Sequence, residues 1–184
     1  MPSRGIRVRA PVDEGVKSFH GHSITKNLFD YILRVLPEGK TILELGSGWA
    51  TGELAKHYKV YSVEHDAEYL ELYESTYLYV PLKKHKKLAN HKSTVWYDPD
   101  VLKEKLKGVK YDLLLVDGPP HTRSGYFKYM HLFDGDVITV FDDYAREIEK
   151  KLVNSVASVI ETPYVVYCSP DGKPFAVIND PGLV

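Results

Sequence analysis

One cysteine, Cys168, stands among 184 residues. That excludes an intrachain disulfide framework and suits a reducing compartment. Long apolar runs are also missing, since none approaches the roughly 20 residues of a membrane-spanning helix. The opening stretch MPSRGIRVRAPVDEG lacks the apolar centre of a secretory signal. Excess charge is absent too, with 24 Lys and Arg against 25 Asp and Glu, a formal net charge of −1. Such a balance gives no global electrostatic case for a nucleic-acid partner. There is no internal repeat and no low-complexity segment. What is present is a 43% apolar share, which marks a globular chain. The length suits about one domain with one substantial core. These features predict a soluble, cytoplasmic, single-domain protein with no membrane partner.

Residues 1–21 are basic and rich in Gly and Pro, and read as an irregular arm. Ile24, Leu28, Ile32 and Leu36 then recur at helical spacing, with Ser23 available as a cap and Pro37 as a stop. An alternation follows. TILEL (41–45), VYSVE (60–64), YLYVPL (77–82), YDLLLV (111–116) and VITVF (137–141) read as strands. Helices are expected around 53–57, 67–75, 99–107, 126–133 and 144–161. Asp98, Pro99 and Gly108 supply a cap, a first-turn proline and a terminator for the third of these. YVVYC and PFAVIN close the chain as a hairpin around SPDGK. Near-continuously apolar strands alternating with helices predict an α/β fold, a mostly parallel sheet covered on both faces.

Ligands of such sheets bind outside the carboxyl ends of the strands. The first of these ends is ELGSGWATG, where Gly46, Ser47 and Gly48 form a tight loop. Glu64 ends the second strand and can accept hydrogen bonds from two ribose hydroxyls. Dinucleotides and S-adenosylmethionine both use that geometry. The spacing here is G-x-G-x-x-x-G, and Glu44 stands two residues before the first glycine. A carboxylate there suits a cationic amino group and opposes a pyrophosphate. The pattern therefore favours S-adenosylmethionine over NAD.

ILELGSGWAT, VYSVEHD, YDLLLVDGPP and VITVFDDY together resemble the successive strand-end motifs of class I S-adenosylmethionine-dependent methyltransferases. The resemblance runs over roughly 22–180. It implies a Rossmann-like, doubly wound, mostly parallel seven-stranded sheet whose last hairpin is antiparallel, with the methyltransferase domain at 22–184 after the arm. It also implies that Glu44, Gly46 and Gly48 hold the methionine part of the cofactor, with Ser47 in the same loop. Glu64 holds the ribose, and His65 lies near the adenine. Family members often cover the cofactor with the segment before the first helix, here FHGHS, where Ser23 can reach the cofactor carboxylate. Trp96 and Tyr97 are either stacking partners or core aromatics.

Strand four ends in Asp117 and strand five in Asp142 and Asp143. Three like charges in one cleft are unstable alone, so either some protonate or a cation sits among them. Hard divalent cations take oxygen ligands. The pattern is similar to the metal-dependent O-methyltransferases of class I, which implies Mg²⁺ or a related ion on Asp117, Asp142 and Asp143. Asp143 has another possible task, capping the helix that follows. His121, just beyond DGPP, is a candidate base. Arg123 and Arg146 flank the expected site and can fork onto an anionic group of the substrate; Arg146 can instead pair with Glu149. LKKHKKLANHK (82–92) reads as a solvated loop or as an attractor of an anionic acceptor. No Asn-Pro-Pro-aromatic signature follows strand four, which argues against methylation of base amino groups.

The reading is a methyltransferase, metal-assisted and acting on oxygen of a hydroxylated small molecule or saccharide. Three alternatives stay open: a metal-independent enzyme with Asp117 at the methyl site, an NAD-dependent oxidoreductase, and a non-catalytic S-adenosylmethionine- or partner-binding module. The acceptor and the oligomeric state have no signal in the sequence.

Overall fold

The computed structural model describes residues 7–9, 24–85, 95–120, 123–168 and 173–183. Its elements in chain order are β1 (Arg7–Arg9), α1 (Lys26–Val35), β2 (Thr41–Leu45), α2 (Trp49–Leu54), β3 (Lys59–Glu64), β4 (Thr76–Tyr79), β5 (Leu82–Lys84), β6 (Val95–Tyr97), α3 (Pro99–Lys105), β7 (Leu113–Val116), α4 (Tyr126–Tyr129), β8 (Ile138–Phe141), α5 (Glu147–Val159), β9 (Tyr164–Tyr167) and β10 (Phe175–Ile178).

Eight strands form one sheet in the order β1-β9-β10-β8-β7-β2-β3-β4. The β2–β3, β2–β7, β3–β4 and β7–β8 pairs are parallel. β10 runs antiparallel to both β8 and β9. Seven of these strands are the expected set. The eighth comes from the arm, where Arg7–Arg9 pairs parallel with β9.

Period-two alternation feeds two cores. Leu43, Leu45, Leu114 and Val116 point to one face, where α5 adds Leu152, Val153 and Val156. Ile42, Leu113 and Leu115 point to the other, against Leu28, Phe29 and Ile32 of α1 and Leu54 of α2. Both faces of the central strands are dry, which explains their continuous apolar runs.

Several elements differ from expectation. Thr25 caps α1, its hydroxyl accepting from the Leu28 N–H at 3.3 Å, and Ser23 lies outside the described residues. The helix expected at 67–75 shrinks to a 3₁₀ turn at Ala67–Tyr69. Glu71 there has φ 61, and Leu72 is 54% exposed, so no buried apolar face holds a helix. The third strand stops at Tyr79. Pro81 cannot donate to the ladder, and the chain leaves to form a two-stranded ribbon, β5 with β6. Among the described residues, no helix is long and apolar enough to cross a membrane.

Candidate active site

The tips of β2 and β7 meet through glycine. Gly46 has φ +85, a left-handed conformation that favours glycine. A Cβ on Gly118 would lie 2.7 Å from the Gly46 Cα, so the two backbones touch where side chains cannot fit. The Gly46 N–H donates to Val63 O at 2.8 Å, and the Gly118 N–H donates to Leu45 O. Gly48 differs. A Cβ there would meet nothing within 4 Å, so the space before the loop is open to a ligand.

Beneath this loop lies Glu44, 3% exposed. Its Oε1 accepts from Thr51 Oγ1 and Ser62 Oγ, each at 2.6 Å. Thr51 Oγ1 in turn accepts the Gly48 N–H at 2.9 Å. Burial pushes the Glu44 carboxyl up to about 8, against the lowering effect of these two hydroxyls.

Glu64 faces the loop from the end of β3. Its Oε2 accepts both the N–H and the hydroxyl of Ser47 at 2.9 Å. Its Oε1 accepts the N–H groups of His65 at 2.6 Å and Asp66 at 2.9 Å, and His65 Nδ1 stands 2.9 Å away. Burial alone would raise its pKa. The His65 ring and these backbone donors outweigh burial and bring it down to about 2. Trp96 and Tyr97, the alternative stacking partners, are core residues at 1% and 0% exposure.

Asp117, Asp142 and Asp143 come together at the tips of β7 and β8. One carboxylate oxygen from each lies within 4.8 Å of the others. Asp142 and Asp143 are buried, and the Asp117 side chain is 26% exposed. A cation already sits among them. The Arg123 guanidinium donates from Nη2 to Asp117 Oδ1 at 2.7 Å and from Nη1 to Asp143 Oδ2 at 2.9 Å. Its Nε donates to the Asp117 carbonyl, and Glu149 Oε1 is 3.9 Å from Nη1. Arg146 Nη2 lies 3.0 Å and Lys173 Nζ 3.5 Å from Asp143.

Charge follows that layout. Burial opposes ionisation of Asp143, but Arg123, Lys173 and Arg146 prevail and lower its pKa. Burial raises Asp117 despite Arg123. Asp142 is pushed up to about 7 by burial and by its two acidic neighbours, and its Oδ1 has no hydrogen-bond partner among the described residues. Arg123 loses some basicity to burial and regains more from Asp117, Glu149 and Asp143, so it stays charged.

The arrangement therefore gathers Glu44, Gly46, Ser47, Gly48, Glu64 and His65 on one side and the three aspartates on the other. Ser23 and His121 lie outside the described residues. Asp143 does not cap α5, whose first turn has Arg146 as cap with no side-chain bond. Arg146 pairs with Asp143 rather than with Glu149. Arg123 turns inward, at 5% exposure, instead of toward a substrate. Its role had one readable signal. It is the sole arginine between Arg34 and Arg146, six positions after the first of three acids that need a cation.

No protein-family model matches the chain, and no curated protein matches it in sequence. Solved structures do match in shape. The chain is similar to precorrin-6y C5,15-methyltransferase from Geobacter metallireducens, with a TM-score of 0.55, 11% identity, 88% of this chain covered and 92% of that one. It is similar also to the METTL16 methyltransferase domain, with a TM-score of 0.50, 14% identity, 83% of this chain covered and 65% of that one. At such identities the likeness is one of architecture, and the chain has the Rossmann-like fold found in methyltransferases.

Proposed function

We propose that the chain is an S-adenosylmethionine-dependent methyltransferase whose acceptor is a hydroxylated small molecule or saccharide. The observation that carries this reading is the meeting of the β2, β3, β7 and β8 tips around one loop, with Glu64 and Asp117 on its two sides. When bound, the cofactor supplies an electrophilic methyl group on a cationic sulfonium. The loop at Gly46–Gly48 lets backbone approach its amino-acid end, and the buried Glu44 carboxyl braces the loop from below through Thr51, whose hydroxyl accepts the Gly48 N–H. The Ser47 hydroxyl can rotate away from Glu64 Oε2, which frees a carboxylate lone pair for a ribose hydroxyl. His65 borders the adenine side. Asp117, partly open to solvent, orients the acceptor hydroxyl and takes its proton, and its raised pKa suits a base. His121 is a second candidate base, and Ser23 a candidate contact to the cofactor carboxylate. An anionic acceptor and a cytoplasmic setting both agree with the sequence.

A second reading adds Mg²⁺ or a related divalent ion on Asp117, Asp142 and Asp143. The grouping of their oxygens within 4.8 Å favours it. Against it, Arg123 already bonds one oxygen of Asp117 and one of Asp143, so an ion on those oxygens competes with the guanidinium.

Calorimetry with S-adenosylmethionine and with NAD tests the main reading, followed by transfer of labelled methyl to hydroxylated and saccharide acceptors with and without EDTA. Binding of S-adenosylmethionine but not NAD is expected. Absence of that binding overturns the proposal. Binding without turnover leaves the non-catalytic module.

A further inference from the structure

We infer that Arg123 is the permanent counter-cation of the acidic trio: its guanidinium takes the position between Asp117 and Asp143 that a divalent ion would need, and the folded chain excludes such an ion. The occupancy claim stands apart from the proposed reaction. Only its consequence, an Asp117 held in one orientation for methyl transfer, rests on that reading.

The geometry is specific. Arg123 spends one N–H on the Asp117 carbonyl, one on Asp117 Oδ1 and one on Asp143 Oδ2. A planar fork matches that spread of acceptors, whereas an ammonium is a point charge. An ion coordinated by the same two oxygens must first expel this side chain, 6% exposed, from three hydrogen bonds. The expelled cation would stay beside the incoming one unless the loop moved, and two cations at that spacing repel. Positive charge is already supplied there as well: Arg123, Arg146 and Lys173 stand against the carboxyl groups of Asp117, Asp142, Asp143 and Glu149. Arg123 is thus a positioning residue, acting through Asp117 and Asp143 rather than on a substrate.

The full chain is titrated with Mn²⁺, with free ion read by electron paramagnetic resonance. Calorimetry with S-adenosylmethionine is run on the same sample. Wild type is expected to leave Mn²⁺ free up to about 1 mM. Arg123→Gln removes the cation and keeps polar bulk, and is expected to bind Mn²⁺ about a hundredfold more tightly than wild type. Arg123→Lys keeps the charge but not the fork, and is expected to bind Mn²⁺ more weakly than Arg123→Gln does. A purely structural role would not produce that division between the two variants. Sub-millimolar Mn²⁺ binding by wild type that Mg²⁺ competes away overturns the inference, and it needs no variant, so a poorly folded Arg123→Gln cannot shield the idea. A folded Arg123→Gln that leaves Mn²⁺ affinity unchanged overturns it as well. Failure to bind S-adenosylmethionine counts against the proposed function and leaves the Mn²⁺ result intact.

Discussion

The two sides of the cleft bury carboxylates by different means. At the β2–β3 side, Glu64 is satisfied by Ser47, His65 and Asp66, all backbone or side-chain donors of the two adjoining turns. The His65 ring also stands beside this carboxylate, its Nδ1 2.9 Å from Oε1. At the β7–β8 side, Asp117 and Asp143 share one buried guanidinium carried in on a separate turn, 6 and 20 positions away, and the more exposed Arg146 and Lys173 add charge beside Asp143. The His65 ring and the donors of a tight loop hold Glu64 ionised. Full charges hold Asp143 ionised, while burial raises Asp117 despite Arg123. The first device is short-range and built of backbone, so it is rigid. The second concentrates several interactions in one side chain, so it fails all at once.

The sharpest way to break that contrast is Arg123→Met. Removing the cation leaves Asp117, Asp143 and Glu149 facing one another, and loss of one partner of a buried ion pair costs about 3–5 kcal/mol. Urea unfolding should record a loss in that range. A loss below about 1 kcal/mol, the scale of exposed pairs, would show that the acids relax without their cation.

Glu64→Gln tests the other side and should cost less, about 1.5–3 kcal/mol, the scale of hydrogen bonds to a charged group. Its distinguishing mark is pH. The folded-state pKa of about 2 lies below the ordinary 4.5, so the unfolded chain takes up the proton first as pH falls. The stabilisation is complete above about pH 5 and is lost as pH drops toward 2. Unfolding curves at pH 6 and pH 3 should show a smaller acid loss in Glu64→Gln than in wild type. An equal acid loss would sink the account of Glu64 as an acid held ionised by the His65 ring and the loop donors.

Two glycines sharpen the comparison further. Gly118→Ala sets a Cβ 2.7 Å from the Gly46 Cα, and overpacking of that kind costs about 1–3 kcal/mol. Gly48→Ala meets no atom of the described residues within 4 Å, so stability should change by less than about 1 kcal/mol, the size of a cap preference. Affinity for S-adenosylmethionine should instead fall about tenfold or more, a loss of about 1.4 kcal/mol in binding. Thermal melts and calorimetry on both variants separate the two roles. Unchanged affinity in Gly48→Ala would remove the loop from the cofactor site.

The same asymmetry governs what the sequence discloses. The strands are legible because period and apolarity repeat locally, as TILEL shows, with five residues named and the same five found. The Gly46–Gly48 loop and Glu64 are legible because their spacing along the chain is the motif. Arg123 is legible only as a lone arginine close to three acids, since nothing local to HTRSG says that its side chain turns inward between two strand tips. The 67–75 helix fails for a related reason. Its periodicity is present, but the surface it would need to cover is solvent. The strand at Arg7–Arg9 is three residues long, and its pairing with β9 is set by tertiary contact alone.

The smallest expected effect belongs to Arg146→Ala. Arg146 also pairs with Asp143, at 3.0 Å, but its side chain is 46% exposed against 6% for Arg123. Solvent screens such a pair, and its contribution is about 0–1 kcal/mol. The two arginines thus share one carboxylate oxygen and differ mainly in burial. A double-mutant cycle of Arg146→Ala with Asp143→Asn should return coupling within that range and shrink further in added salt. Coupling as large as that of Arg123 with Asp143 would mean that Asp143 is held by a shared cationic ring. The one-guanidinium account of the β7–β8 side would then give way to a distributed one, closer to the many-donor device around Glu64.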